Sequence, residues 1–514
     1  MLDPHIGVDD TGVTVAANLY DPLIKLGMNG TIIPWVAESW TTSADGLQWT
    51  FTIRKGIKFH DGTELNASDV AYSINRMLTM GLGRAYVLDP HLYKNATVVE
   101  GNKVRIWLKH QFGPLLAAFN GWYIVNMDIL SKHYVTGAYG ANKDYGQLWL
   151  LTHDVGSGPY MVVYTFLEEK VVMQKFNDYW AGFAKTAPDI VEIIAGTEPI
   201  TVRLALANGQ QEVSDPYQPY DNLLKIKDLP GIYIPAYVAI TGNYQLMINT
   251  KRPPTDDVHF RKFLAYSMDY DTVTNLLFPG TVQCRGPINQ AMAGYDPTVF
   301  KYTYNPAMAA QELAQSKYAN NITQYTVDLY FSADVPDEQK VCIMLQAEVA
   351  KYGVNINVLS TPWTKVVHDV ALMETTPNMA YIGAGGAFPE AGSYFAARYT
   401  SQNAGTWMEC EWLLNTTLDA EIADSLATVD YNARIAKYKH ITRELIDMCP
   451  TIWLYASVSY YACQDYVIPD WINNPVVGTG NLGKIYLITA QAGGYAEYRL
   501  WSVNKLIPYE IAPG

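Results

Sequence analysis

Apolar and polar positions alternate most clearly at Trp49, Phe51 and Ile53, interleaved with Thr50, Thr52 and Arg54 after a turn at Ala44-Asp45-Gly46, which predicts a half-buried strand. A turn at His60-Asp61-Gly62 follows. Asn66 with Asp69 then makes a capping-box-like start to a helix whose Val70, Ile74 and Met77 recur at i, i+4 and i+7. Val104, Ile106 and Leu108 alternate as another strand, and Gly156-Ser157-Gly158-Pro159 marks a sharp reversal before Met161 to Tyr164, the first expected domain boundary. Tyr244, Leu246 and Ile248 predict a strand; after Pro253-Pro254 a helix from Asp257 places Phe260, Phe263, Leu264 and Ser267 on one face. From Pro336 to Tyr352, Val341, Met344, Leu345 and Val349 keep helical spacing, Gly353 supplies a left-handed stop, and Val354, Ile356 and Val358 resume alternation. A helix feeding a strand in this way argues for an α/β layer. Another helix is predicted from about Asp419 to Met448, interrupted near Asp430, ahead of Pro450 and an apolar strand from Ile452 to Tyr455. No fixed-period repeat is visible.

Length and composition narrow the function classes. The 514 residues hold about three domains' worth of chain at ~100 to 200 residues each. With 49% hydrophobic and 17% charged residues the chain has the apolar surface for large cores, which excludes disorder as its main state. A net charge of -14 repels phosphate backbones and anionic lipid surfaces, so nucleic acid is not an expected partner. The 38 Tyr and 13 Trp against 14 Phe favour rings with a polar handle, which suit part-wet, part-apolar surfaces such as ligand clefts. No run of 18 uncharged apolar residues predicts a transmembrane helix. Five cysteines (Cys284, Cys342, Cys410, Cys449, Cys463) form no CxxC pair, and Cys342 reads as a small buried hydrophobe.

Catalytic and metal signatures are weak. Gly478-Thr479-Gly480-Asn481-Leu482-Gly483 matches GxGxxG, but a strand-like run follows where a dinucleotide fold requires a helix. No P-loop, HExxH or GxSxG occurs. The nine histidines are scattered; His259 and His440 fall on helical stretches without a second ligand at i+3 or i+4, so no metal and no cofactor is expected.

Longer runs carry a resemblance. Pro34-Trp35-Val36-Ala37-Glu38-Ser39-Trp40 continues through Asp45-Gly46 and Trp49-Thr50-Phe51 to Arg54-Lys55-Gly56-Ile57-Lys58-Phe59-His60-Asp61-Gly62-Thr63 and Ala67-Ser68-Asp69-Val70. In the same order come Asn18-Leu19-Tyr20-Asp21-Pro22-Leu23, Val155-Gly156-Ser157-Gly158-Pro159-Tyr160, and Asp257-Val258 through Arg261, Leu264-Ala265-Tyr266 and Asp269. Together they resemble the family 5 solute-binding proteins of ABC importers, the dipeptide- and oligopeptide-binding proteins and their nickel-chelate- and oligosaccharide-binding relatives. The resemblance implies a three-lobed, periplasmic-binding-protein-like α/β fold with a hinged ligand cleft: lobe I at 1-35, 160-242 and 452-514, lobe II at 36-159, lobe III at 243-451. It further implies a monomeric, non-enzymatic, extracytoplasmic protein, periplasmic or anchored at the cell surface, that closes on a small organic solute and delivers it to a membrane permease. The family's first strand normally precedes Leu-Asp-Pro-His, and Met1 stands there instead, so a removed signal segment is expected.

Peptide-binding members of that family carry a Trp-x-x-Asp-like segment whose carboxylate meets the ligand's ammonium. The matching text is Tyr381-Ile382-Gly383-Ala384-Gly385-Gly386-Ala387-Phe388-Pro389-Glu390, with Ala384 in place of the acid and Asp21 and Glu390 as alternative carboxylates. The expected ligand-binding residues are Tyr20, Asp21, Tyr244, Trp363, Tyr381, Gly383, Gly385, Phe388 and Trp407, with Trp40 and Trp49 assigned to the core. Without a carboxylate at 384, a neutral oligosaccharide stacking on aromatic rings is placed slightly ahead of a free peptide. A competing reading is an extracellular hydrolase using Glu168/Glu169 or Asp256/Asp257; adjacent carboxylates on a strand face opposite ways and on a helix lie ~100° apart, poorly placed to share one bond.

Overall fold

The computed structural model describes residues 2–7, 10–26, 31–82, 92–167, 169–194, 198–216, 218–279, 281–290, 292–333, 335, 337–468, 476–480, 483–489 and 498–503. The chain forms two compact units, Met1–Tyr237 with Tyr460–Val477 and Tyr486–Gly514, and Val238–Ser459 with Gly478–Ile485.

In the first unit, the strands Ala37–Thr42, Gln48–Ile53, Lys103–Leu108 and Tyr93–Val99 lie side by side in that order as an antiparallel sheet. Trp49, Phe51 and Ile53 point into its core, as alternation requires, and Trp40 is half-buried against Phe51 with ring centroids 6.2 Å apart. The helix Ala67–Met80 buries Val70, Ile74 and Met77. Its start is the predicted capping box: Asn66 accepts from the Ser68 amide and Asp69 accepts from the Asn66 amide. A second sheet, Tyr160–Phe166, Lys170–Lys175 and Ile190–Ile194, completes the larger elements.

Three quoted sequence runs meet in this unit, and packing explains their composition. A Cβ on Gly156 would lie 1.8 Å from the Leu19 carbonyl oxygen, so only glycine lets the 155–160 turn close on the end of the helix Asp10–Leu19. The His60 ring pairs with Asp154 through Nδ1 and donates from Nε2 to the Gly158 carbonyl at 3.0 Å. Burial resists charging His60, but Asp154 holds its pKa above the ordinary histidine range; Asp154, raised by burial, is held below the carboxylate range chiefly by His60.

The second unit is built on a seven-stranded sheet. Its order is Asn355–Thr361, Thr326–Ser332, Met379–Gly385, Ala236–Ile248, Gly483–Thr489, Val476–Gly480, with Thr451–Tyr460 also paired to Ala236–Ile248. The helix Val258–Ser267 starts where Asp257 accepts from the Phe260 amide at 2.9 Å, and it buries Phe260, Phe263, Leu264 and Ser267. Glu338–Ala350 ends before Gly353, whose φ of 77° is the left-handed stop. The predicted break near Asp430 separates Thr416–Ala427 from Tyr431–Met448, Asp430 capping the Ala433 amide at 2.8 Å. All five cysteines are buried and free. The GxGxxG match runs from strand to strand, with Asn481 and Leu482 outside the described residues.

Candidate functional site

Topology locates the site within the second unit. Thr326–Ser332 is the central strand of a parallel trio: the chain leaves it through the helix Glu338–Ala350 to Asn355–Thr361 on one side, then returns through the helix Trp363–Asp369 to Met379–Gly385 on the other. The order of connection therefore reverses at Thr326–Ser332. In open α/β sheets ligands bind at such a switch point, outside the carboxyl ends of the strands.

The strands part there. Thr326–Ser332 and Met379–Gly385 pair only at Leu329↔Met379 and Tyr330↔Ala380. Beyond this, Phe331 and Ser332 stay with Ser360 and Thr361, while Tyr381 to Gly385 stay with Leu246 to Gly242. Among the described residues one backbone edge of Tyr381–Gly385 is thus left without a strand partner, and Gly385 pairs with Gly242 on the other edge, so the tip carries no side chains.

Period-two alternation sends the strand's side chains to two different environments. Ala380, Ile382 and Ala384 join Met247, Val366, Val370 and Cys410 in an apolar cluster against which Tyr330, Trp363, Trp407 and Met408 are partly buried. Trp363 and Trp407 meet edge to face at 5.4 Å, and neither indole N–H has a partner among the described residues. On the opposite face Tyr244 lies across Gly383, where a Cβ would come within 2.9 Å of its ring. Tyr244 stacks on Tyr455 at 5.1 Å, Tyr381 and Tyr455 share a hydroxyl hydrogen bond of 3.0 Å, and Phe278 packs on Tyr455 at 4.9 Å. Glu338 completes this face: it is 3% exposed, and Oε2 accepts from the amide of Ser332, the strand's last residue, at 3.0 Å. Burial pushes its carboxyl up to about 8, the Ser332 amide pulling it back only in part.

Seven of the nine residues expected to bind ligand belong to this region, but not as one surface. Trp363 and Trp407 stand on the face of Ala384, while Tyr244, Tyr381, Gly383 and Gly385 belong to the other face or to the bare tip, and Phe388 is buried just beyond it. Tyr20 and Asp21 are corrected outright. Tyr20 is fully buried in the first unit and donates its hydroxyl to the Leu2 carbonyl at 3.0 Å. Asp21 is sealed beneath four donors, Trp35 Nε1 at 2.7 Å, Ser157 Oγ and the Tyr179 hydroxyl at 3.0 Å, and Trp180 Nε1 at 3.2 Å, so both its oxygens are spent inside the protein. Glu390, the other alternative carboxylate, is buried against Arg434 at 2.9 Å. Sequence reasoning missed Glu338, Tyr330, Tyr455, Phe278 and Met408; the available signal was the helix-to-strand succession, which becomes a switch point once Thr326–Ser332 is recognised as its first strand.

Of the acids of the hydrolase reading, Asp256 and Asp257 are otherwise engaged. Asp256 takes Lys317 at 2.8 Å and the Tyr318 hydroxyl at 2.7 Å, Asp257 caps a helix, and Glu168 lies outside the described residues. The histidine reading also needs correction: His440 does have a potential ligand at i+4, Glu444, 3.4 Å away, with Glu421 at 3.8 Å on the neighbouring helix. His440 is exposed and the two glutamates are half-buried, and the three form a surface cluster.

Comparison with known proteins agrees with this architecture. Over 491 residues the chain is 24% identical to the probable D,D-dipeptide-binding periplasmic protein DdpA of Escherichia coli K12, covering 93% of this chain and 90% of that protein. It is 26% identical over 470 residues to the dipeptide-binding protein of the same bacterium, covering 84% and 83%. Among solved structures, the ABC transporter substrate-binding protein CtaP of Listeria monocytogenes matches with a TM-score of 0.82 at 17% identity, covering 98% of this chain and 96% of that one. Residues 31–406, which include the first unit's runs from Pro34 and from Val155 and the switch-point strands of the second, match the bacterial extracellular solute-binding proteins, family 5 (middle region), and the chain belongs to that family.

Proposed function

We propose that this substrate-binding component of an ABC importer captures short peptides, laying the ligand's main chain along the open edge of Tyr381–Gly385 and seating an uncharged group against Trp363 and Trp407. The carrying observation is the loss of strand pairing beyond Ala380 among the described residues, which leaves main-chain donors and acceptors of that edge without a strand partner for an extended ligand to engage, as in β-strand addition. Gly385, at the tip of that edge and without a side chain, allows close approach of a second backbone. The names of the relatives, a D,D-dipeptide- and a dipeptide-binding protein, support peptides over oligosaccharides. Ala384, buried among apolar side chains, supports a group without charge at that point, because an ammonium seated there would be desolvated with no counter-charge.

Family members are transport binding proteins rather than enzymes, and an extracytoplasmic location with a membrane permease as partner follows from that role. Among the described residues no helix is long and apolar enough to cross a membrane. The three-lobed division and closure around the ligand belong to the same proposal.

Calorimetry with di- to pentapeptides, their N-acetylated forms and matching oligosaccharides tests it. Peptides are expected to bind, with N-acetylation costing less than ~10-fold, or 1.4 kcal/mol. Binding of oligosaccharides with none of peptides would overturn the reading.

A further inference from the structure

Glu338 is a polar group at the switch point that the main-chain edge does not explain. Its Oε2 is occupied by the Ser332 amide, a role that glutamine would fill as well. Its Oε1 has no hydrogen-bond partner and no basic side chain pairs with it among the described residues, although the side chain is almost wholly buried. Oε1 is not among the buried side-chain atoms that lack a partner, so this oxygen stays reachable from solvent while the rest of the side chain is enclosed. Its surroundings are suited to a cation: the rings of Tyr244 and Tyr381 lie on the same face, Tyr244 only half-buried, and aromatic faces attract ammonium and guanidinium groups.

Resting on the reading that the ligand is a peptide extended along Tyr381–Gly385, we propose that Glu338 selects peptides carrying a lysine or arginine side chain, which it pairs on the face opposite Trp363 and Trp407. An added strand sends successive side chains to opposite faces of the sheet. A residue turned towards the tryptophans is therefore flanked by residues turned towards Glu338, so the preferred sequence sets a basic residue next to an apolar or aromatic one.

The proposal makes binding release a proton. In the empty protein burial keeps Glu338 largely protonated at neutral pH, and pairing with a cation ionises it. The other titratable groups facing it are Cys342 on its own helix and Tyr244 and Tyr381 on the strands; burial pushes all three upwards, away from neutrality.

Calorimetry at pH 7, in two buffers of different ionisation heat, should compare tripeptides containing lysine or arginine with the same tripeptides containing norleucine or citrulline. The expected result is at least a tenfold preference for the basic peptides with close to one proton released, and loss of both in Glu338→Gln. Glutamine still accepts from Ser332, so the variant should keep the wild-type circular dichroism and melting temperature. Equal affinity for lysine and norleucine peptides, or an unchanged preference in Glu338→Gln, would overturn the role of Glu338 while leaving the peptide reading intact. Failure of every peptide to bind would instead remove the reading beneath it.

Discussion

Replacing Asp21 with asparagine separates a structural carboxylate from a ligand-binding one. Burial pushes the Asp21 carboxyl up, and Lys25 with the surrounding hydrogen bonds pulls it back. Four donors converge on it, two to each oxygen: Trp35 and Tyr179 on Oδ1, Ser157 and Trp180 on Oδ2. An asparagine offers one acceptor oxygen and one NH2 group; the Ser157 or Tyr179 hydroxyl can turn to accept from that NH2, but the indole N–H beside it, Trp180 or Trp35, would face another donor. A buried donor left unsatisfied costs ~1–3 kcal/mol, which is the expected loss for Asp21→Asn. Ser157→Ala removes one donor and leaves the carboxylate with three, so it should cost only ~0.5–1.5 kcal/mol. Urea unfolding followed by tryptophan fluorescence is a direct assay, because Trp35 and Trp180 bond Asp21 and pack against each other, tilted, with ring centroids 4.7 Å apart. Ligand affinity of the folded variant should be unchanged. A wild-type urea midpoint combined with a more than tenfold loss of affinity would show that Asp21 faces ligand and that the four-donor argument is wrong.

The remaining predictions concern one introduced and two native buried charges. Ala384→Asp should lower stability by ~1–3 kcal/mol, since its carboxyl enters the cluster of Met247, Ile382 and Val366, yet raise affinity for free peptides relative to their N-acetylated forms in the same calorimetric panel. Glu411→Gln leaves the fully buried Arg398, now 2.5 Å from Glu411, without its counter-charge, and should cost ~3–5 kcal/mol in chemical denaturation. For His60 the folded pKa is raised, so its pairing with Asp154 stabilises fully below the unfolded histidine pKa and is lost as pH rises through the folded value. The stability gap between wild type and His60→Gln, measured by urea midpoint from pH 5 to 9, should therefore narrow as pH increases; a constant gap would contradict the assigned charge.

Much of the fold could be read from local pattern because local physics determines it. The capping box at Asn66, the Asp257 and Asp430 caps and the Gly353 stop are each satisfied within a few residues, so sequence spacing carries the whole interaction. Asp21 was misread because its partners, at 35, 157, 179 and 180, lie up to 159 residues away, and nothing in the run Asn18-Leu19-Tyr20-Asp21 shows whether the acid points to a ligand or to four donors. Glu338 was missed for the converse reason. In the sequence it is one more acid at a helix start, and only strand order reveals that the helix begins at a switch point.

The segment Tyr381-Ile382-Gly383-Ala384 illustrates how a motif can be right in place and wrong in grouping. Read as one motif, it suggests that an aromatic at the first position and whatever fills the fourth act on the same part of a ligand. On a strand, positions three apart face opposite sides, and the structure puts Tyr381 with Tyr244, Tyr455 and Glu338 but Ala384 with Trp363 and Trp407. What the two sides share is the backbone edge that opens past Ala380. A ligand that uses that edge must itself have a repeating backbone with substituents on alternate faces, which a peptide has and a pyranose chain lacks. Loss of the carboxylate at 384 therefore does not argue for sugar, as it does when the motif is treated as a single site; it removes one charge from one face and leaves a buried acid on the other, which moves the site of cation recognition across the sheet instead of abolishing it.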